Sequence, residues 1–207
     1  MNRKKKILFI SNKTIKSSVG GRKNLTNLNE KVLKNIFREN FFAYKLEKKK
    51  IDSLKNILMA ITGNIDGVDN QNIETIKSSI KKNQITHVFI DGSNLGKISR
   101  KISNKNIRII TFCHNVESNF FFKKLKNFFN FKNIYIFLSN YLAELQSVYF
   151  SNYLIFLNSR DRKIMEKYFF KKKYYLVPIC IDDKFKKFKN SINKNKFLLF
   201  VGSNFFG

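Results

Sequence analysis

Short apolar runs alternate along this chain with longer segments of helical period. The runs are rich in Ile, Phe and Val, and in the segments between them apolar residues recur about every three or four positions. This rhythm is typical of βα units that are built around a parallel sheet. It predicts an α/β, Rossmann-like fold, in which helices cover both faces of the sheet.

The individual elements follow from the same pattern. Strands are expected at residues 6–12, 41–46, 86–92, 107–113, 153–157 and 174–178, with a further strand at 197–202. Helices are expected at 52–62, 72–82, 117–131 and 134–150. Two more helices are predicted by their apolar faces, one carrying Leu25, Leu28, Val32, Leu33, Ile36 and Phe37, the other capped by Ser159 and carrying Ile164, Met165 and Phe169.

Length and spacing predict a division of the chain near its end. A chain of 207 residues with 43% hydrophobic residues can bury the core of one large domain. We expect residues 1–190 to form that domain. Residues 191–207 are expected to hold a connector and the first strand of a second domain, and that strand has almost nothing after it to pair with.

The chain is strongly basic, with a formal net charge of +27. Lys, Asn, Ile and Phe, all encoded by AT-rich codons, make up more than half of its residues, so part of the charge reflects base composition. No zinc-finger spacing, RNP-like segment or separate helix-turn-helix is present. Nucleic acid is therefore not the expected partner.

Cysteine and hydropathy patterns exclude several other classes. Cys113 and Cys180 stand far apart without a cluster of His, so neither a zinc site nor a disulfide framework is indicated, and no metal or cofactor is expected. No run approaches the roughly 18 to 20 apolar residues of a transmembrane helix. The basic start precedes only four apolar residues and is typical of a first strand. A cytoplasmic location follows.

Candidate chemistry lies where predicted strands end. In open parallel sheets, ligands bind beyond the carboxyl ends of the strands. Four polar turns occupy such places: the loop with Gly20 and Gly21, the turn 91–94 that carries Asn94, the turn 114–117, and the turn 158–160 that carries Ser159.

Two of these turns suggest specific roles. Gly20 and Gly21 let the backbone approach a ligand and leave helix N-terminal amides free for an anion, although a simple turn explains them equally well. His114 offers an imidazole to a substrate hydroxyl, with a capping or packing histidine as the alternative. Glu117 either orients His114 or starts the next helix. His87 precedes its strand and is expected to be structural.

The segment 119–132 combines phenylalanines with lysines. Phe121, Leu125 and Phe128 share one stripe, and Lys123, Lys124, Lys126 and Lys132 are interspersed. A basic helix with exposed aromatic residues suits the surface of an anionic bilayer. Core packing of the phenylalanines beneath solvated lysines is the alternative.

Taken in order, these turns and strands resemble the amino-terminal half of GT-B type glycosyltransferases, and among them glycosyltransferase family 4. The pieces that match are Lys6–Ile10 followed by Gly20-Gly21-Arg22, Thr111–Glu117 with His114 and Asn115, Leu154–Ser159, Val177–Asp182 and Phe197–Ser203. They span nearly the whole chain in the family's order.

The resemblance implies the transfer of a sugar from a nucleotide-sugar donor to a hydroxyl of a carbohydrate or lipid-linked acceptor. By position, Gly20 and Gly21 are the loop near the donor phosphates, and His114 is the cleft histidine that contacts the transferred sugar or the acceptor. Asn94, Asn115, Glu117 and Ser159 are the other expected cleft residues. Synthesis of cell-surface polysaccharide or lipopolysaccharide, at the inner face of the cytoplasmic membrane, is the expected setting.

The chain also departs from the family pattern. The family's Pro-Asn-Gly-Val/Ile-Asp is Pro178-Ile179-Cys180-Ile181-Asp182 here. We also expect the donor domain that would follow 201–203 to be absent from this polypeptide. We expect the chain alone to be inactive, as a half of a split enzyme with a separate donor-domain polypeptide, a truncated product or a fragment. A non-enzymatic basic α/β module that binds anionic membrane or nucleic acid, and a nonfunctional remnant, remain as alternatives.

Overall fold

The computed structural model describes residues 5–12, 21–47, 59–168 and 173–178. Their strands form one six-stranded parallel sheet in the order β2-β1-β3-β4-β5-β6. The strands are β1 (Ile7–Asn12), β2 (Phe41–Leu46), β3 (His87–Asp91), β4 (Arg108–Cys113), β5 (Tyr153–Phe156) and β6 (Lys173–Leu176). The predicted α/β, Rossmann-like class is confirmed.

Helices connect these strands. The α-helices are α1 (Gly21–Phe37), α2 (Asn70–Asn83), α3 (Gly96–Ile102), α4 (Glu117–Asn127), α5 (Phe131–Phe150) and α6 (Ser159–Tyr168), and short 3-10 turns lie at Arg38–Asn40 and Ser93–Leu95. Residues 59–61 are also helical, and the helix stops before Gly63, as predicted. Residues 13–20, 48–58, 169–172 and 179–207 lie outside the described residues. These ranges include Gly20, most of the helix predicted over 52–62, Phe169, Cys180, and the predicted connector and last strand.

The strand order creates a crevice at the centre of the sheet. The chain leaves β1 toward β2 on one side and resumes at β3 on the other side. Connections that diverge in this way leave an opening beyond the carboxyl ends of the two central strands. In this chain the opening lies beyond Asn12 of β1 and Asp91 of β3.

The sheet is buried from both faces, which explains the nearly continuous apolar runs of its strands. In β1, Ile7 and Phe9 pack with Leu33 and Phe37 of α1 on one face. Leu8 and Ile10 pack on the opposite face against residues of α2 and α3, namely Ile73, Ile76, Ile98 and Ile102. The predicted helical cover on both faces is therefore present.

The predicted core face of the first helix is wrong in part. Val32 is 45% exposed and Ile36 is 66% exposed. The stripe that meets the sheet instead contains Thr26 in its first turns and Leu33 and Phe37 further along. The inward face of this helix thus includes polar residues, which the pattern of apolar positions alone places on the outside.

Two predicted helix boundaries also need correction. The helix expected over 117–131 ends at Asn127, because the Asn130 side chain accepts a hydrogen bond of 2.8 Å from the Asn133 amide and starts a new helix at Phe131. Ser159 was expected to cap α6, but the Asn158 side chain accepts the Asp161 amide at 2.8 Å and is the cap. Ser159 is the first helical residue.

Within the described ranges, no helix is both long and apolar enough to cross a membrane. The same ranges contain no group of three or more His, Cys, Asp or Glu side chains that would hold a metal ion.

Gly96 allows α3 and α5 to pack closely beside the crevice. A Cβ atom at this position would lie 1.8 Å from the Ala143 carbonyl oxygen and 2.5 Å from the Ser147 amide nitrogen. Both obstacles are backbone of α5, so a side chain at residue 96 requires the two helices to separate.

We predict that Gly96→Ala lowers the free energy of unfolding by at least about 1–3 kcal/mol, because overpacking at a backbone contact cannot relax by side-chain rotation. Urea denaturation followed by circular dichroism measures this change. Ser99→Ala in the same helix is the matched control, since its buried hydroxyl has no hydrogen-bond partner among the described residues and its loss is expected to be neutral or stabilising. Equal stability of Gly96→Ala and the parent chain would contradict the prediction.

Candidate functional site

Asp91 and His114 form a buried pair at the crevice. Asp91 ends β3, and His114 follows β4, which is the neighbouring strand. His114 Nε2 lies 3.1 Å from Asp91 Oδ2, and the two side chains are 6% and 1% exposed. Phe112 holds the imidazole from the side, with ring centroids 5.1 Å apart in an edge-on arrangement. The pair is thus fixed by packing as well as by its hydrogen bond.

Helix α1 supplies two further partners for Asp91. Thr26 Oγ1 donates to Asp91 Oδ2 at 2.5 Å, and Asn29 Nδ2 donates to Asp91 Oδ1 at 2.8 Å. Thr26 and Asn29 lie on the same stripe of α1 as Leu33, because residues three and four apart share one helix face. The sheet contact made by the apolar end of the stripe therefore positions its polar end over Asp91.

These contacts keep the Asp91 carboxyl group ionised. Burial raises the pKa of Asp91, but hydrogen bonding and charge from His114, with the bonds from Thr26 and Asn29, outweigh burial and lower the pKa below its usual 3.8. An ionised Asp91 accepts a hydrogen bond from Nε2–H, so the neutral imidazole carries its hydrogen on Nε2 and keeps a lone pair on Nδ1.

Several buried polar atoms at this edge have no hydrogen-bond partner in the part of the chain that the structure describes. Among the described residues, His114 Nδ1, Ser11 Oγ and both amide atoms of Asn12 are buried without a hydrogen bond. Ser11 and Asn12 are the last residues of β1, on the other side of the crevice from His114. An unsatisfied buried polar group costs about 1–3 kcal/mol, and several such groups at one edge are typical of a ligand site.

Arg22 joins the first turn of α1 to the two neighbouring loops. Its Nη2 donates to Asn94 Oδ1 at 3.4 Å, and its Nη1 lies 3.6 Å from Glu117 Oε1. Asn94 Nδ2 in turn donates to Asp66. Gly92 has φ of +149°, and a Cβ there would lie 2.8 Å from Asn94 Oδ1 and 3.1 Å from Arg22 Nη2. The absence of a side chain at Gly92 thus permits this approach.

Glu117 has a strongly raised pKa. Burial raises its pKa from 4.5 to about 7, helped by the negative charges of Glu144 and Asp66, while Arg22 and His114 act in the opposite direction. Glu117 therefore changes charge near neutral pH at the rim of the site.

Glu144 of α5 is fully buried beneath these turns. Its Oε1 accepts hydrogen bonds of 2.8 Å from both Ser93 Oγ and the Glu117 amide, and its Oε2 accepts one of 3.0 Å from the Ser118 amide. Burial raises the pKa of Glu144, and hydrogen bonds from the Ser118 side chain, the Ser93 side chain and the amides of Ser118 and Glu117 oppose that rise. The carboxyl group satisfies amides at the start of α4, where a helix carries positive charge.

The structure brings several of the predicted site residues together. His114, Glu117 and Asn94 belong to this cluster, and Gly21 is the first residue of α1. Asn115 is half-buried next to His114. Ser159 is exposed after β5, which lies two strands from β3, and it does not join the cluster.

Sequence reasoning missed the group around Asp91. The sequence shows Asp91 only as part of the turn 91–94. Its contacts with Thr26 and Asn29 join residues that are 65 and 62 positions apart. The available signal was a polar residue on the core-facing stripe of α1. Glu144 carries a similar signal, since it is an isolated acid in the otherwise apolar and neutral middle of α5.

No protein-family model matches this sequence, and no curated protein matches it either. Solved structures do match the fold. Sucrose-phosphate synthase from Thermosynechococcus elongatus superposes with a TM-score of 0.53 at 11% identity, over 84% of this chain and 48% of that one. Phytolacca americana UGT2, solved with UDP-2fluoro-glucose and pterostilbene, gives 0.45 at 10% identity, over 88% of this chain and 56% of that one.

This chain therefore spans about half the length of the two proteins. At such low identity the likeness concerns the fold alone. The match with sucrose-phosphate synthase supports a glycosyltransferase-like fold of the GT-B kind.

The raised pKa of Glu117 predicts how stability depends on pH. The folded chain binds the Glu117 proton more tightly than the unfolded chain, so this group's contribution to the free energy of unfolding falls as the pH rises from about 4.5 to about 7. Glu117→Gln removes that contribution. Between pH 4.5 and 7, we therefore expect the free energy of unfolding to decrease less in the variant than in the parent. The difference is up to about 3 kcal/mol, at about 1.4 kcal/mol per pKa unit.

Urea titrations across that pH range, compared between the two proteins, give the measurement. The comparison with the parent is necessary because His87 also makes stability depend on pH. Its pKa is lowered in the folded chain, so below pH 6.5 its contribution to the free energy of unfolding rises with pH, which is the opposite sign to that of Glu117. Glu166→Gln, on α6, is the control, since Glu166 pairs with Arg162 on a part-exposed surface. Parallel curves for the parent and Glu117→Gln would show that the prediction is wrong.

Proposed function

We propose that this chain is the acceptor-binding part of a glycosyltransferase that moves a sugar from a nucleotide-sugar donor to a hydroxyl group. The observation that carries the proposal is the Asp91–His114 pair at the crevice of a glycosyltransferase-like fold. Polar atoms of Ser11 and Asn12 on the opposite side of the crevice, which have no hydrogen-bond partner among the described residues, support it. Hydroxyl-rich ligands such as sugars satisfy donors and acceptors of this kind.

In the proposed reaction, His114 accepts the proton of the attacking hydroxyl. The acceptor oxygen forms a bond to the anomeric carbon of the donor sugar, the bond from that carbon to the diphosphate oxygen breaks, and the hydroxyl proton passes to Nδ1. Asp91 holds Nε2–H and stabilises the imidazolium that forms. The leaving group is the nucleoside diphosphate.

Arg22 and the start of α1 are proposed to face the donor diphosphate. The Arg22 side chain is 39% exposed at the cluster, and α1 begins at Gly21 with no acidic residue in its first turn. A helix N-terminus with an arginine beside it favours an anionic group. The residues that bind the rest of the donor are proposed to come from a second domain or a separate polypeptide.

The proposed acceptor is a carbohydrate or a lipid-linked sugar. Its proposed setting is the synthesis of cell-surface polysaccharide or lipopolysaccharide by a cytoplasmic protein at the inner face of the membrane. Family 4 is the group whose motif order this chain resembles.

The test combines this chain with a donor-domain polypeptide encoded next to its gene and measures the release of nucleoside diphosphate from a panel of UDP- and GDP-sugars. We predict that His114→Ala lowers turnover by about 10²–10⁴-fold, the usual contribution of a positioned proton acceptor. Asp91→Asn is predicted to lower turnover as well and to alter its pH profile, because Asp91 no longer stabilises the imidazolium.

His87→Ala is the matched control, because the sequence contains only two histidines and His87 lies at the amino end of β3, 2.8 Å from Thr86 Oγ1. Its turnover is expected to stay near that of the parent. Full turnover in His114→Ala, or no release and no sugar binding with every donor and partner, would overturn the proposal.

A further inference from the structure

The turn between α4 and α5 exposes large aromatic side chains. Phe128, Phe129 and Phe131 are 63%, 81% and 90% exposed. Together they present on the order of 400 Å² of aromatic surface, since one phenylalanine buries roughly 150–250 Å² when it is covered. Exposed apolar patches of this size mark interaction sites. We call residues 128–131 the aromatic tip.

The aromatic tip is held in a defined conformation. Asn133 Nδ2 donates to the Phe128 carbonyl oxygen at 2.6 Å, and the Asn133 amide donates to Asn130 Oδ1 at 2.8 Å. The Phe128 amide also donates to the Lys124 carbonyl oxygen at 2.9 Å and closes the last turn of α4. The turn is therefore organised by hydrogen bonds, while its apolar side chains remain uncovered.

The segment that carries the tip has charge of one sign. Between Glu117 and Glu144 the sequence has no acidic residue and has four lysines, Lys123, Lys124, Lys126 and Lys132. All four side chains are exposed, and Lys126 Nζ lies 4.9 Å from the centre of the Phe122 ring. Aromatic side chains ringed by lysines fit a surface that offers both hydrocarbon and negative charge.

The tip stands away from the sheet on the same side as the cleft. Helix α4 starts beside His114 at Glu117 and has eleven residues, which corresponds to about 16 Å at 1.5 Å per residue. Glu144 and Ser147 of α5 contact Ser93 and the start of α4 at the carboxyl edge of the sheet. Phe131 precedes Glu144 by thirteen residues, or about 20 Å of helix. The α4–α5 hairpin thus projects from the cleft.

We propose that the aromatic tip inserts into the interface of an anionic lipid bilayer, with the four surrounding lysines against the lipid headgroups. A polyanion such as nucleic acid would satisfy the lysines. It would offer no hydrocarbon to the exposed phenylalanines, which occupy three of four successive positions. The bilayer satisfies both features of the surface at once.

If the proposed transferase function holds, this placement also specifies the acceptor. The cleft then lies about 16–20 Å from the hydrocarbon boundary, along the axis of the hairpin. An acceptor anchored in the same bilayer, whose sugar extends through the headgroup region, reaches His114 from the membrane side. This consequence rests on the proposed function, whereas insertion of the tip does not.

The experiment is co-sedimentation of the full chain with vesicles of phosphatidylglycerol and phosphatidylcholine in equal parts, and with vesicles of phosphatidylcholine alone. We expect binding to the first and little binding to the second. Phe129→Ala/Phe131→Ala is expected to weaken binding by tenfold or more, because each inserted ring contributes roughly a tenfold preference for the interface. Lys124→Ala/Lys132→Ala is expected to weaken it by about tenfold, at roughly a few-fold per lysine.

Two matched controls separate the tip from the general charge of the chain. Val32→Ala/Ile36→Ala removes two exposed apolar side chains from α1, and Lys81→Ala/Lys82→Ala removes two exposed lysines from α2. Both are expected to bind vesicles within about threefold of the parent. The tip side chains are solvent-exposed, so their removal is expected to leave the urea midpoint unchanged.

A fluorescent reporter tests insertion itself. The chain has no tryptophan, so Phe131→Trp places one indole at the tip, and Ile36→Trp places one at a control position that is 66% exposed. Vesicles are expected to shift the emission of the first to the blue and to leave the second unchanged.

Four outcomes would overturn the proposal. These are no sedimentation with anionic vesicles, an equal loss of binding in the α2 lysine control, an unshifted emission from residue 131, and tip-dependent binding to duplex DNA without binding to vesicles. None of these results depends on release of nucleoside diphosphate with a water-soluble acceptor, so the proposed transferase function and the membrane proposal fail separately.

Discussion

The buried carboxyl group of Glu144 is the contact on which the arrangement of this protein most depends. It joins three parts of the chain, since Ser93 follows β3, Glu117 and Ser118 start α4, and Glu144 itself belongs to α5. A buried acid without such partners would cost several kcal/mol. Hydrogen bonds from Ser93 and from the first residues of α4, including both amides at its N-terminus, stabilise it here and fix the turn that begins with His114.

The Glu144 contact and the order of the strands together determine the cleft. Asp91 and His114 meet because β3 and β4 are neighbours, and Arg22, Thr26 and Asn29 reach them because one stripe of α1 continues from apolar to polar residues. The hydrogen bonds of Glu144 also fix the base of the α4–α5 hairpin. The base of the hairpin and the cleft are therefore held by the same hydrogen bonds at the carboxyl edge of the sheet.

The sequence predicts the elements of this fold better than it predicts the site. Strand β2 lies at the predicted residues, because an apolar run between polar segments leaves little choice. The starts of helices are harder to predict, since Asn and Ser are both good caps. In the structure, the caps of α5 and α6 are Asn130 and Asn158. His114 was found because it follows an apolar strand. The bonds of Asp91 to Thr26 and of Glu144 to Ser93 join distant positions, and only the folded chain brings them together.

Amide hydrogen exchange at Glu117 and Ser118 in Glu144→Gln tests most directly whether this buried carboxyl group holds the cleft turn. The glutamine side chain has nearly the same shape but presents an NH₂ group to one of the two amides. The account predicts that these two amides exchange at least about tenfold faster in the variant, as expected for the loss of a hydrogen bond worth about 1–3 kcal/mol. Amides in the middle of β3 should keep their protection, as should all of these positions in the surface control Glu166→Gln. Unchanged protection of Glu117 and Ser118 in Glu144→Gln would contradict the account.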